Sequence, residues 1–321
     1  MSAGTPPAEH RWARVRVPAT SANLGSGFDA MGVALGLYDD VAAALLPAGS
    51  GVRIDVAGEG AGTVPLDASH LVVRTILAAH EELGGDPAAG VRLVASNRIP
   101  HSRGLGSSAA AIVAGLALGH LLTRPGDALD LEWVADRSAQ LEGHPDNATA
   151  AVHGGVVLAF TPPAGPDAGV PRTLVDRLPV HSGIGFVALV PDHEVATAGA
   201  RQVLPDRVSR VDAVQQAIRS ALLVRALTAS PEGLLLATED FLHQRFRAAL
   251  MPDSWRLVGE LRDRGVPAVV SGAGPTVLAL GPAGVLDALD DPALGPALDG
   301  FRVLHLPLAR GVEVIPTGRA E

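Results

Sequence analysis

Ile99-Pro100-His101-Ser102-Arg103-Gly104-Leu105-Gly106-Ser107-Ser108-Ala109-Ala110-Ala111 is a glycine–serine loop that runs straight into an apolar stretch. The apolar stretch reads as a helix from Ala109 to Leu122, and Val91 to Ala95 alternates as the strand that leads in. A loop that opens a helix in this way makes an anion site. The first N–H groups of a helix have no intrahelical partner. The aligned peptide dipoles add roughly half a positive charge there, and glycines let a ligand approach the backbone closely. Ser107 and Ser108 offer hydroxyls to a phosphate oxygen or a metal ion. The stretch points to a nucleotide phosphate, although glycine and serine also start many helices that bind nothing.

Other phosphate loops fit less well. A Walker loop requires Gly-Lys-Ser/Thr, and Gly106 is followed by Ser107. The chain contains no lysine at all, so Schiff-base chemistry and a lysine base are excluded as well. Gly104 and Gly106 match the dinucleotide fingerprint only in its loosest form. With no cysteine, disulfides, thiolate metal sites and thiol nucleophiles are excluded. A formal charge of −9 argues against nucleic acid as a partner. No run of about 18 apolar residues suggests a membrane span. Met1 to Glu9 is small and polar, without the layout of a signal peptide. A cytoplasmic enzyme is expected.

The 321 residues, 47% of them apolar, can fill one large domain or two ordinary ones. Aromatics are only 3%, so the core must come from Val, Leu, Ile and Ala. In the first half, strands are expected at Ala13 to Val17 (ended by Pro18), Val52 to Val56 and Gly155 to Phe160, with one or two more over Met31 to Leu46. Helices are expected at His70 to Leu83 and Leu131 to Leu141. Thr161 to Val170, rich in Pro, Gly and Ala, reads as a connection. The second half then opens with strands at Arg172 to Leu178 and Gly185 to Val190. Helices follow at Val195 to Val203, Arg207 to Thr228, Pro231 to Asp240 and Ser254 to Arg264, with strands on both sides of Gly272-Ala273-Gly274-Pro275 and near Phe301 to Leu304 and Val312 to Val314. The order lacks a strict βαβ rhythm, which favours an α+β class with two sandwich domains.

Two more segments join the loop: Val17-Pro18-Ala19-Thr20-Ser21-Ala22-Asn23-Leu24-Gly25-Ser26-Gly27-Phe28-Asp29 and Val269-Val270-Ser271-Gly272-Ala273-Gly274-Pro275-Thr276-Val277. Together the three resemble the motifs of the GHMP small-molecule kinases. The first of them, with Glu142-Gly143-His144-Pro145-Asp146-Asn147, is similar to the members of that family that act on homoserine. The resemblance implies a two-domain α+β architecture. An N-terminal half like domain 2 of ribosomal protein S5 (residues 10–165) would carry the phosphate loop. A C-terminal ferredoxin-like α/β sandwich (170–315) would complete the acceptor site. It implies ATP and Mg2+, L-homoserine phosphorylated on its side-chain hydroxyl, and a homodimer. A kinase of mevalonate-type or sugar alcohols, or a non-catalytic anion-binding relative, are the other readings.

By the same resemblance, Pro100, His101, Ser102, Arg103, Gly104, Leu105, Gly106, Ser107, Ser108, Ala109 and Ala110 hold the nucleotide, and Ser108 and Glu142 hold the metal. The acceptor pocket corresponds to Asn23, Asp29, His144, Asn147, Thr197, Arg201 and Arg247, of which Asp29, Asn147 and Arg201 carry the catalytic roles. The types suit an amino acid, since an ammonium needs a carboxylate or carbonyl and a carboxylate needs arginine. Taken singly, the two arginines read as surface residues, Asn23 and Asp29 as turn formers, His144 as a loop histidine, and Glu142 as a helix-end carboxylate. His70 stands where the family has an asparagine near the adenine, so no base contact is assigned. Arg245-Phe246 replaces a proline–tyrosine pair, which leaves Arg245 competing with Arg247. Without lysine, the aspartate–lysine pair of some relatives cannot form, and Asp29 is expected to orient the acceptor and not to act as a strong base.

Overall fold

The computed structural model describes residues 11–163, 172–195 and 197–316. A long antiparallel hairpin begins it: β1 (Trp12–Ala22) against β2 (Met31–Leu46). Pro18 does not end the first strand as expected. It sits inside β1, and the register shifts between Pro18 and Ala19, where an irregularity absorbs the missing N–H. Met31 to Leu46 is a single strand. Its C-terminal part pairs with β4 (Gly90–Asn97) and its first residues pair with β5 (Val156–Phe160). β3 (Val52–Gly58) runs parallel to β4.

The first sheet has the order β11-β1-β2-β4-β3, with β5 and then β6 continuing from β2. β6 (Leu174–Leu178) and β11 (Glu313–Val314), which sequence order counts with the second half, both pair into this sheet. Alternation along a strand reports which residues are buried, not which sheet it joins. The connection expected over Thr161 to Val170 lies outside the described residues from 164 onward.

Helices α1 (Leu71–Glu82), α2 (Ser107–Thr123), α3 (Leu131–Glu142) and α4 (Asp146–His153) cover the sheet. α2 is apolar on all sides and correspondingly buried. Gly115 and Gly119 let it approach α1: a Cβ at either would stand 2.6 Å from Thr75 or Ala79. α4 is not foreseen by the sequence reading, which passes from the Glu142-to-Asn147 segment directly to the next strand. Its 8 residues are too few to display a period.

The second sheet is antiparallel, in the order β10-β7-β9-β8, from β7 (Ile184–Pro191), β8 (Ala268–Val270), β9 (Val277–Pro282) and β10 (Phe301–Leu306). Around it lie α5 (Thr197–Gln202), α6 (Arg210–Thr228), α7 (Leu234–Ala237), α8 (Gln244–Arg247) and α9 (Pro252–Asp263). The helix expected over Pro231 to Asp240 is a 3-10 turn followed by the short α7. Asp240 instead begins the next turn, its carboxylate accepting from the N–H groups of His243 (2.9 Å) and Gln244 (2.7 Å). Alternate residues of β7 serve two cores. Phe186 and Ala188 pack into the core shared with the first sheet, while Val187 and Leu189 face a smaller one with Leu257 and Leu261 of α9. The α+β class expected from the sequence is the class observed.

Candidate active site

The phosphate loop owes its shape to three residues with positive φ: Ser102 (54°), Gly104 (75°) and Gly106 (68°). Gly106 precedes α2 in the left-handed region, and among the described residues no side chain caps the helix. The first closed helical bond is Ala110 N–H to the Gly106 carbonyl (2.9 Å). The amides of Ser107, Ser108 and Ala109 are therefore left without intrahelical partners at the wall of a cleft that these residues line.

The loop is held between the other two glycine-rich segments. Thr20 N–H donates to the Leu105 carbonyl (3.0 Å), and Thr276 N–H to the Arg103 carbonyl (3.2 Å). Ser271 Oγ lies 2.5 Å from the Gly104 carbonyl and 2.7 Å from Ser21 Oγ. A Cβ on Gly104 would strike the Ser271 carbonyl, and one on Gly106 would strike the Thr20 hydroxyl, so neither position accepts a larger residue without displacing its neighbour. Thr20 Oγ1 donates to Asn147 Oδ1 (2.8 Å), and Asn147 lines the cleft.

Next to the uncapped helix end, Ser108 Oγ donates to Glu142 Oε1 (2.6 Å), a hydroxyl and a carboxylate at one rim. Among the described residues there is no cluster of three or more His, Asp or Glu side chains able to hold a metal. Both atoms are hard oxygen donors. A site that offers two protein oxygens and leaves the rest to water and phosphate fits Mg2+.

Charged groups gather across the cleft. Asp29, with φ 54°, is fixed by Asn23, whose Oδ1 accepts from Asp29 N–H (3.0 Å) and whose Nδ2 donates to the Gly272 carbonyl (3.0 Å). Arg201, on α5, forms a two-pronged pair with Asp29 (2.9 and 3.4 Å). Arg247, only 3% exposed, donates from Nε to the Ala200 carbonyl (2.9 Å) and from Nη1 to the Gly272 carbonyl (3.1 Å). Burial lowers its pKa, with Arg201 adding to the effect, but an arginine remains a cation under such conditions. Arg245 is occupied elsewhere, in a pair with Asp212 (2.9 Å), so Arg247 is the arginine that lines the cleft. His144 Nδ1 lies 2.7 Å from Asp146 Oδ1, and this bond raises the imidazole pKa above its ordinary value.

Asn23, Asp29, Ser102, Gly104, Gly106, Ser107, Ser108, Ala109, Glu142, His144, Asn147, Arg201 and Arg247 all line this one cleft. Thr197 opens α5, but its side chain lies outside the described residues. Pro100 and Leu105 are buried beneath the loop. The Arg103 guanidinium turns away from the cleft, to the carbonyls of Pro191 (3.1 Å) and Asp192 (2.8 Å) and to Glu194 (3.3 Å), and so ties the loop to the segment that leads into α5.

On the far side of the loop is a second, mainly apolar cavity. Val41, Val64, Pro65, Leu71, Val72, Ala110 and Ala111 form its walls, and His101, Ser102, Ser107 and Ser108 adjoin it. Three of its polar residues were not assigned from the sequence. Asp39 accepts from the N–H groups of Arg98 (2.6 Å) and Ile99 (3.0 Å), yet burial still pushes its pKa up. His70 has a buried Nδ1 with no partner among the described residues, and burial lowers its pKa. Asn97 completes the set. None belongs to a glycine-rich motif: Asp39 stands beside Asp40, Asn97 lies between Ser96 and Arg98, and His70 follows Ser69, so nothing local separates them from ordinary polar residues.

Comparison with known proteins agrees with this geometry. The family model for the GHMP kinases N terminal domain matches residues 70–155. A homoserine kinase of Cutibacterium acnes is 52% identical over 300 residues, 93% of this chain and 97% of that one. A homoserine kinase of Streptomyces coelicolor is 51% identical, covering 86% and 87%. The crystal structure of homoserine kinase from Cytophaga hutchinsonii superposes with a TM-score of 0.78 at 28% identity, over 98% of this chain and 100% of that one. Mevalonate diphosphate decarboxylase from Staphylococcus aureus shares the fold alone, at 16% identity and a TM-score of 0.66. Likeness at this level, sustained along almost the whole chain, cannot come from the phosphate loop by itself: the chain belongs to the homoserine kinase family of the GHMP kinases.

Proposed function

We propose that the chain transfers the terminal phosphoryl group of ATP to the side-chain hydroxyl of L-homoserine, giving O-phospho-L-homoserine and ADP, a step of threonine biosynthesis. One observation carries the reading. A helix start with free amides and an anionic–cationic set made for an amino-acid head group open into the same cleft. The triphosphate lies against the amides of Ser107, Ser108 and Ala109, and the nucleoside end enters the apolar cavity on the other side of the loop. Ser108 and Glu142 hold Mg2+, which neutralises phosphate charge when bound.

The acceptor takes the places that Asp29 and Arg201 now fill for each other: its ammonium faces Asp29, and its carboxylate faces Arg201 and Arg247. Asn23, occupied at both ends of its amide, acts as the strut that sets Asp29 and the Gly272 carbonyl. Asn147, oriented by Thr20, points its NH2 at the region between acceptor hydroxyl and phosphate. His144 is held on Asp146 at the same wall. No lysine is available to activate a base, and Asp29 is engaged with cations. Catalysis is then positioning and charge stabilisation, with the hydroxyl proton leaving late, to the transferred phosphoryl group.

A cytoplasmic location and a homodimer go with this reading on family resemblance. Among the described residues no helix is long and apolar enough to cross a membrane. The test is ADP release from ATP and Mg2+ with a panel of hydroxy amino acids, mevalonate and polyols. Turnover with homoserine well above all others is expected. Turnover with a polyol at an equal rate, or tight nucleotide binding with no turnover on any acceptor, would overturn the reading.

A further inference from the structure

Beneath the acceptor cleft lies a histidine that none of the glycine-rich segments contains. His243 has a fully buried side chain, on the turn just before α8. Its ring is stacked on Phe28, with centroids 4.8 Å apart and planes 16° apart, one residue before Asp29 in the chain. Nδ1 lies 3.2 Å from Arg247 Nη1, and Nε2 lies 3.0 Å from the Gly25 carbonyl.

The two contacts decide the tautomer. A guanidinium only donates, so Nδ1 must offer its lone pair; a carbonyl only accepts, so Nε2 must carry the proton. Both ring nitrogens are satisfied by one proton. A second proton would set N–H against N–H, with two cations in contact.

The Arg247 guanidinium is thereby held at three points: Nε on Ala200, Nη1 on Gly272 and on His243. Among the described residues Nη2 has no hydrogen-bond partner, and Arg247 lines the cleft. We propose that His243, as a neutral imidazole protonated at Nε2, is a positioning residue for acceptor binding: it holds the Arg247 guanidinium so that Nη2 presents itself to the acceptor carboxylate. This rests on the assignment of Arg247 to that carboxylate.

The charged groups facing the imidazole are Asp240 (Oδ1 3.6 Å from Nε2), Arg247 on α8, and Asp29 beyond Phe28. Burial lowers the His243 pKa and Arg247 lowers it further, while Asp240, Gly25 and Asp29 oppose them. The neutral form therefore persists through neutral pH, and the positioning fails only on the acid side.

Two polar substitutions separate the two contacts. His243→Asn keeps an acceptor near the position of Nδ1 and gives up Gly25. His243→Gln reaches Gly25 and gives up the acceptor for Arg247. Loss of a charge-assisted contact of this kind corresponds to about tenfold or more. His243→Gln is expected to raise the homoserine KM, and the homoserine Kd measured by calorimetry, by that amount, with the ATP KM unchanged. His243→Asn should restore most of the homoserine affinity at no higher melting temperature. Equal losses in the two variants, or ATP and homoserine KM rising together, would overturn the proposal. Absence of homoserine turnover and binding in the unmodified enzyme would instead overturn the assignment of function, so the two failures are distinct.

Discussion

Arg201 shows how little a side chain's type says until its partner is known. On sequence it is one of 25 arginines; in the fold it faces Asp29 across the cleft from a different half of the chain. The pair is partly exposed, with 47% and 37% of the side chains accessible, so it adds little to stability. In the proposed reading the pair keeps both charges where the acceptor binds. Arg201→Ala should raise the homoserine KM roughly tenfold or more, the range for a charge-assisted contact, while the ATP KM stays within about twofold. Steady-state kinetics with each substrate varied in turn will show it. Ser108→Ala should weaken the use of Mg2+-ATP, read as a shift in the Mg2+ dependence of turnover; unchanged Mg2+ dependence would remove Ser108 from the metal site. His144 supplies a pH signature. Its hydrogen bond to Asp146 raises its pKa in the fold above the ordinary 6.5. The stability it contributes is then fully present below that value and is lost as pH rises through the folded pKa. Melting curves of His144→Gln should fall short of the unmodified protein at pH 5.5 and approach it at pH 8.5.

At the scale of elements, the N-terminus of α2 was legible because its signals are local. Glycines at left-handed positions, no capping side chain and an apolar continuation all lie within one short stretch. Gly106→Ala tests the arrangement. An alanine there takes a left-handed backbone, at a cost of about 1–2 kcal/mol, and its methyl group strikes the Thr20 hydroxyl that orients Asn147. A lowered melting temperature is expected together with a large rise in the ATP KM; a variant that melts lower but binds nucleotide normally would separate loop shape from phosphate binding. Other elements were less legible. α4 is too short for a period to appear, and the helix expected over Pro231 to Asp240 shrinks to a 3-10 turn and the short α7, ahead of the turn that Asp240 caps. Pro18 looks like a strand end but is absorbed by an irregularity, a solution that depends on the partner strand.

Across the whole molecule, the site is a junction of three distant segments, and Arg103 is the link that sequence motifs do not disclose. It belongs to the phosphate loop, yet its guanidinium binds the carbonyls of Pro191 and Asp192, just ahead of the helix that carries Arg201. The Ser102 carbonyl adds a second tie by accepting from Val195 N–H (3.1 Å). Nucleotide and acceptor binding should therefore be coupled through Arg103. Arg103→Ala is expected to raise the KM for both substrates, whereas a residue serving the nucleotide alone would affect only ATP. Measuring the homoserine KM at saturating ATP distinguishes the two cases.

By itself the sequence determined the α+β class, the phosphate loop with the helix it opens, the absence of lysine and thiol chemistry, and the residue types suited to an amino-acid acceptor. These follow from period, glycine placement and side-chain chemistry, all expressed over a few neighbouring positions. Only the tertiary structure decided that β6 and β11 join the first sheet, that Arg247 and not Arg245 reaches the cleft, that Asp39, Asn97 and His70 line the apolar cavity, and that His243 supports Arg247. All but the last, which joins residues four apart across a turn, depend on contacts between residues far apart in the chain. A strand's alternation or an arginine's charge is the same whichever partner the fold brings to it.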